Sequence, residues 1–312
     1  MARALSSALV LALLAATAVA FAITEGAKLE RSPIYGTQVP TPEFSPNGRA
    51  VPVALFSFRL RSHERVEVWM ENSDGKRIRT LLQPHSFRSG ARVSLVWDGL
   101  DDDGALVPDG DYKPVVKLER THRTIVLPNP IRLDTVPPRI VVRHPQYPIL
   151  SPDGDHHGDV FRVAYRVNEP AHGILYVDGK QVEFTLRQKP VGVLVWNGKL
   201  RKGDAYRPAP PGRYVLSVAA QDRAGNRSKP YPFAIAQVRY VVLARSRIEV
   251  KPKERFAVRV STDAPAVHWQ LHGRTGVQRR GTLHFRAPAK KGTYHLYVFV
   301  GNHAARATVV VK

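Results

Sequence analysis

The stretch SPNGRAVPVALFSFRLR, Ser45 to Arg61, is written a second time as SPDGDHHGDVFRVAYRV from Ser151. In both copies a Ser-Pro-Asx-Gly turn runs into residues that alternate in polarity. Ala54, Phe56, Phe58 and Leu60 fall on one side of a strand, and Val53, Leu55, Ser57 and Arg59 on the other. Phe161, Val163, Tyr165 and Val167 likewise alternate with Arg162, Ala164, Arg166 and Asn168. A period of two is the mark of a strand with one buried face. Beyond the N-terminus no long segment has a clean helical apolar period, and Pro (25) and Gly (22) are frequent. Such a chain is confined to short strands and turns.

The order of signals then repeats. RVEVWME puts Val66, Val68 and Met70 on one face, NSDG (Asn72 to Gly75) is turn chemistry, and RVSLVWDG groups Val93, Leu95 and Trp97. In the second copy GILYVDGKQVEF reads as a hairpin turning at Asp178-Gly179, and VGVLVWNG places Trp196 where Trp97 sits. Each unit next runs into Gly-x-Tyr and a strand, at Tyr112 and Tyr214, and a third instance stands at Tyr294. The last segment lacks both the Ser-Pro-Asx-Gly opening and the Trp-Asx-Gly turn. Its strands are expected near Phe256–Val260, Val267–Leu271, Leu283–Phe285, Tyr294–Val300 and Ala307–Val311.

Many short strands with closely spaced turn signals predict an all-β fold of tandem immunoglobulin-like antiparallel β-sandwiches after one N-terminal hydrophobic helix. The expected divisions are 1–24 as signal peptide or signal anchor, 25–42 as linker, 43–137 and 138–242 as Ig-like domains, and 243–312 as a third, shorter one. Trp97 and Trp196 are expected as core anchors. Tyr112, Tyr214 and Tyr294 suit tyrosine corners, in which the hydroxyl bonds back to the backbone of the arch between sheets.

Read together, FSPNG, SDGKRIRTLL and VWDGLDDDGALVPDGDY resemble the immunoglobulin-like domain of the flagellar hook-capping protein, a domain found in many exported bacterial proteins. The resemblance covers Phe44 to Leu133. The second unit is a looser copy, in which RKGDAYRPAP replaces the Asp-rich loop, and its QDRAGN ending resembles the strand end of exported bacterial Ig-like repeats. The whole chain is similar to envelope proteins of high-GC Gram-positive bacteria. The resemblance implies a β-sandwich and an extracytoplasmic place. It implies hook capping only weakly, because a hydrophobic stretch stands where that family carries its secretion segment, and fold does not transfer function.

Residues 4–23 are apolar or small, long enough to cross a bilayer. Ala18-Val19-Ala20 and Ala20-Phe21-Ala22 fit a small-x-small cleavage site, so the segment reads either as a signal peptide or as an uncut anchor; its length favours the anchor. Cysteine is absent, which excludes disulfides, thiol catalysis and Cys-based metal sites. The formal net charge is +21. Arg is spread through every segment, which fits solubility and compositional bias; the sharper reading is a polyanionic partner.

Reactive constellations are missing from the sequence: there is no Gly-x-Ser-x-Gly elbow, Walker loop, His-Glu-x-x-His or Gly-x-Gly-x-x-Gly. Two acidic loops offer hard oxygen ligands. One carries Asp98, Asp101, Asp102, Asp103, Asp109 and Asp111; with Gly104 as sixth residue, an EF-hand alignment puts Gly99 and Gly110 where acids are required, and it fails. The other carries Asp153, Asp155, His156, His157 and Asp159. Asp101, Asp103, Asp153 and Asp155 are the weak metal candidates; solvated turns are the better expectation, and no cofactor is expected.

The expected function is non-catalytic: Ig-like modules held outside the membrane, meeting an envelope protein or an anionic wall or lipid surface. The alternatives are a hook-assembly scaffold and the accessory domains of an envelope hydrolase. A specific nucleic-acid partner is not expected.

Overall fold

The computed structural model describes residues 12–21, 31–48, 50–142 and 148–312, and within these the protein is almost entirely strand and turn. The chain divides into two compact units, 1–135 and 136–312. The described part of the N-terminal segment is a helix over 12–21; the rest of the expected 4–23 span lies outside the described residues. Among the described residues no helix is long and apolar enough to cross a membrane.

The first unit is a two-sheet sandwich. Ile34–Gln38, Ala54–Leu60 and Arg92–Trp97 form a three-stranded sheet. The second sheet runs Glu43–Phe44, Ile131–Leu133, Gly110–Leu118, Glu64–Glu71, Arg77–Phe87, with Arg123–Val126 also paired to Gly110–Leu118. Pairing is antiparallel except where Glu43–Phe44 runs parallel to Ile131–Leu133. The alternation read from the sequence becomes the core: Ala54, Phe56, Phe58 and Leu60 face Val66, Val68, Met70, Val116 and Leu118, all buried. Met70 and its neighbours share their strand with Glu67, which is largely buried and pairs with Arg77 at 2.8 Å.

Trp97 is fully buried at one end of this core. Its ring meets Phe44 at 5.4 Å and Tyr112 at 4.8 Å, both edge to face, and its Nε1 donates to the Leu100 carbonyl at 3.0 Å. The next residues explain why the two turn motifs travel together. Gly99 has φ +81°, and a Cβ there would lie 2.8 Å from Pro46 and 2.7 Å from Leu133. The Trp-Asp-Gly turn is therefore seated on the proline of the Ser-Pro-Asn-Gly opening. The second copy repeats the contact: Gly198 has φ +67°, and its Cβ would stand 2.5 Å from Pro152. Trp196 is buried there and donates from Nε1 to the Lys199 carbonyl at 2.9 Å.

The 136–312 unit holds two large apolar cores and a small third cluster of Ile174, Tyr176 and Ala219. Around Trp196 one strand, Phe161–Val177, serves both layers. Its first half pairs with Lys189–Trp196, its second half with Gly212–Gln221, and the register breaks between Arg166 and Ala171. The sequence, with its alternation over Phe161–Val167 and its separate hairpin motif GILYVDGKQVEF, suggests two strands here. In the structure the chain passes from one sheet to the other without turning back. The step falls around Pro170, which has no N–H to give to a ladder. Asp178 (φ 48°) and Gly179 (φ 74°) make the two-residue turn to Lys180–Phe184, both in the left-handed region that a type I′ turn requires. Where the first unit has its Asp-rich loop, Lys199–Lys202 and Ala205–Pro208 form an exposed hairpin.

The last core lies between two sheets ordered Val242–Leu243, Arg255–Ser261, Gly281–Arg286 and Arg247–Val250, His303–Val311, Gly292–Val300, Ala266–Leu271, Arg274–Arg279. Three of these strands, Val242–Leu243, Arg247–Val250 and Arg274–Arg279, go beyond the sequence expectation; the second pairs in parallel with His303–Val311. Three hydroxyls then make one bond in common. Tyr112 donates to the Pro108 carbonyl at 2.6 Å, Tyr214 to Pro210 at 2.8 Å and Tyr294 to Lys290 at 2.9 Å, always four residues upstream. Paired sheets over one core with this corner are the features of immunoglobulin-like sandwiches.

Candidate functional site

The two acidic loops are placed differently. In the first, Asp101 Oδ1 accepts from the N–H of Asp103 (3.1 Å) and of Ala105 (2.8 Å). Asp102 accepts from the Thr80 N–H and hydroxyl, fastening the loop to the Arg77–Phe87 strand. Asp103 is exposed. The carboxylates thus serve backbone donors, the usual work of Asp in turns.

The second loop gathers its acids. Oxygen atoms of Asp153, Asp155 and Asp159 lie within 4.8 Å of one another. Backbone N–H groups occupy several of them: Gly154 and His156 donate to Asp159, His157 to Asp155, and Asp155 to Asp153. Asp155 Oδ2 accepts no hydrogen bond and stands 3.7 Å from His157 Nδ1. Asp153 is 1% exposed. Burial first, then the charges of Asp155 and Asp263, push its carboxyl up to about 6, against the opposing bonds from the Ser151 hydroxyl and the Asp155 N–H. The hairpin tip of the last core packs here, with the Asn302 N–H donating to the Asp153 carbonyl at 2.6 Å. Tyr240 and His303 stack beside it, with ring centroids 3.7 Å apart. The loop offers oxygen ligands of the kind hard cations take, yet its visible work is to join two cores.

A cleft of about 990 Å³ opens in the last core, on the side where Arg274–Arg279 and Gly281–Arg286 are the outer strands of their sheets. Its lining contains Lys253, Arg255, Arg274 and Arg286, and no Asp or Glu. Its floor is aromatic. Trp269 meets Phe285 edge to face at 5.2 Å, and Phe285 lies 5.5 Å from Phe256. Gly276 stands directly across the ladder from Trp269, and a Cβ there would come within 2.8 Å of the indole. The absent side chain is what lets the ring lie flat against that strand. Trp269 remains half-buried, and its Nε1 has no acceptor. At the rim His272 packs edge to face on Tyr294, at 4.7 Å.

None of the candidate site or anchor residues singled out from the sequence lines this cleft; Tyr294 meets only its rim residue His272, and Trp269 was not among them. It carries no motif. The available signal was local composition, an aromatic strand followed by the Arg-rich stretch RTGVQRRGTLHFR without an acid.

No protein-family pattern matches the chain, and no curated protein does. Solved structures do resemble it. The fibronectin(III)-like modules of Clostridium thermocellum CbhA are 17% identical, covering 66% of this chain and 94% of that one, with TM-score 0.33. A C-terminal intimin fragment, solved with the intimin-binding domain of its translocated receptor, is 9% identical over 70% of this chain and 69% of that one, TM-score 0.32. The Bacteroides ovatus protein SGBP-B, solved with a mixed-linkage heptasaccharide, is 11% identical over 91% of this chain and 71% of that one, TM-score 0.19. At these identities and scores the likeness carries no residue role over to this chain.

Proposed function

We propose that the protein is a non-catalytic envelope component whose Ig-like modules, held outside the membrane by the N-terminal segment, bind an anionic wall or lipid surface. The observation that carries this reading is the surplus of basic over acidic side chains, many of them outward on the sandwich modules. The net charge is +21, and many outward strand positions are Arg or Lys, among them Arg59, Arg162, Arg213 and Arg259. A field of this sign concentrates polyanions at the surface. The apolar residues 4–23 support a membrane anchor or export signal. The motif set of the first unit favours a hook-assembly scaffold as the second reading.

Affinity capture of the full chain from envelope extract, in mild detergent and at low and moderate salt, tests the proposal. Retention of a wall or lipid fraction at moderate salt is expected. Loss of every partner there would reduce the binding to nonspecific charge. Sequencing the mature N-terminus separates an anchor from a cleaved signal.

A further inference from the structure

The three sandwiches end one sheet on an equivalent strand. Arg92–Trp97 pairs only with Ala54–Leu60, Lys189–Trp196 only with Phe161–Val177, and Gly281–Arg286 only with Arg255–Ser261. Such an edge presents a row of unpaired N–H and C=O groups, which another chain can use unless something covers them. The last core covers its edge from the facing sheet. There the Gln278 amide holds both outward groups of His284: Nε2 donates to its carbonyl and Oε1 accepts from its N–H, each at 3.1 Å. In the second core the Glu183 carboxylate accepts from the Val195 N–H. The first unit has no such guard: among the described residues no side chain bonds to the free edge of Arg92–Trp97.

Which groups lie open there follows from the ladder. Leu60 donates to the Ala91 carbonyl at 3.0 Å, and successive residues of a strand send their backbone groups to alternate sides. Those of Val93, Leu95 and Trp97 therefore enter the ladder with Ala54–Leu60, and those of Arg92, Ser94 and Val96 point away from it. All three of these residues are exposed. Their side chains describe the strand that fits. Arg92 stands directly opposite Arg59, and both are exposed on the outer face. Like charges so placed are destabilising, and an acid on the other flank of Arg92 is the cross-strand neighbour that offsets them. Val96 stands opposite Leu55, an apolar pair 54% and 40% exposed. A second copy of this edge, RVSLVW, brings no acid and adds arginine to arginine.

We propose that Arg92–Trp97 is a strand-acceptor edge, which takes an extended segment of a partner protein with a carboxylate opposite Arg92 and a β-branched residue opposite Val96. The backbone groups of Arg92, Ser94 and Val96 make the ladder, and the two side chains select the partner. This site belongs to the first unit alone; it goes beyond the binding of an anionic surface and stands without it.

The test is fluorescence anisotropy of a labelled peptide, Glu-Val-Thr-Val-Val-Val-Glu capped at both ends, titrated with the full-length protein in detergent at moderate salt. Saturable binding is expected. Methylating the peptide nitrogens of Thr and of the Val two residues on should abolish it, because the ladder loses donors while the charge stays. Ser94→Pro removes an outward N–H and no bond to Ala54–Leu60. It is expected to keep the wild-type melt and to weaken binding about tenfold or more. Arg92→Glu leaves the ladder untouched, so it serves even where the proline variant fails to fold. It should weaken this peptide about fivefold and favour the Lys-ended version instead. Equal binding of the methylated peptide, or equal binding by wild type and both variants, would overturn strand addition at this edge. Absence of binding up to millimolar peptide would overturn the site. A dimer seen by analytical ultracentrifugation and lost in Ser94→Pro would give the edge to a second copy and overturn the partner strand.

Discussion

Replacing Gly198 by alanine separates two costs that the structure assigns to one position. Gly198 has φ +67°, and a side chain in that conformation costs about 1–2 kcal/mol. A Cβ would also stand 2.5 Å from Pro152, well inside van der Waals contact with a rigid ring, and forced overpacking costs about 1–3 kcal/mol more. The total expected for Gly198→Ala is about 2–5 kcal/mol. Gly203 is the internal control, because it has φ +62° and nothing within 4 Å of its Cβ position. Gly203→Ala should therefore show only the conformational part, about 1–2 kcal/mol. Urea unfolding followed by tryptophan emission reads both values. Combining Gly198→Ala with Pro152→Gly closes a double-mutant cycle, and removal of the ring together with its Cβ, which is itself 2.5 Å from the Gly198 Cβ position, should recover the overpacking share as a coupling of about 1–3 kcal/mol. Equal losses for the two glycine variants, with no coupling to Pro152, would refute the claim that the opening turn and the Trp-Asx-Gly turn form one packed device.

Trp97→Ala and Trp196→Ala empty fully buried indole sites, and each is expected to cost about 3–5 kcal/mol. The first should lower the melting of the 1–135 unit and the second that of 136–312, and a melt identical to wild type for either would remove that indole from the core. Asp153 gives a pH dependence. Its carboxyl titrates near 6 in the folded chain, so the folded state holds the proton more tightly than the unfolded state does. Stability therefore falls as pH rises from the ordinary carboxylate range through about 6, by about 2–3 kcal/mol in all. Asp153→Asn should flatten that part of the profile when urea midpoints are compared at acidic and neutral pH; an unchanged slope would assign the dependence to other groups.

What the sequence could disclose is what is local. The period-two runs at Ala54–Leu60 and Phe161–Val167 put the same residues on the buried face that the cores hold. Asp178-Gly179 marks a turn because its two left-handed residues are a matter of backbone sterics. A tyrosine corner spans four residues, a distance at which a short motif carries the information. What escaped depends on distant partners. Nothing within Phe161–Val177 says that the strand leaves one sheet for another, since that step is set by Lys189–Trp196 on one side and Gly212–Gln221 on the other. Arg247–Val250 is a strand because His303–Val311 lies beside it. The cleft depends on Gly276 lying opposite Trp269, and on Phe285 reaching Trp269 from the other sheet.

The difference between the cores follows from where each keeps its indole. Around Trp97 and Trp196 the ring is buried, its N–H is bonded to the turn that follows, and that turn is seated on a proline. Without cysteine to staple these small sandwiches, burying a large aromatic side chain at the sheet ends is a strong packing device. The last core lacks both motifs. Its tryptophan stands on a different strand, half-buried and with an unbonded N–H, beside a gap that no turn fills. The same absence explains both properties: with no Trp-Asx-Gly plug the space between the outer strands stays open, and the residues that line it are released from packing to carry charge.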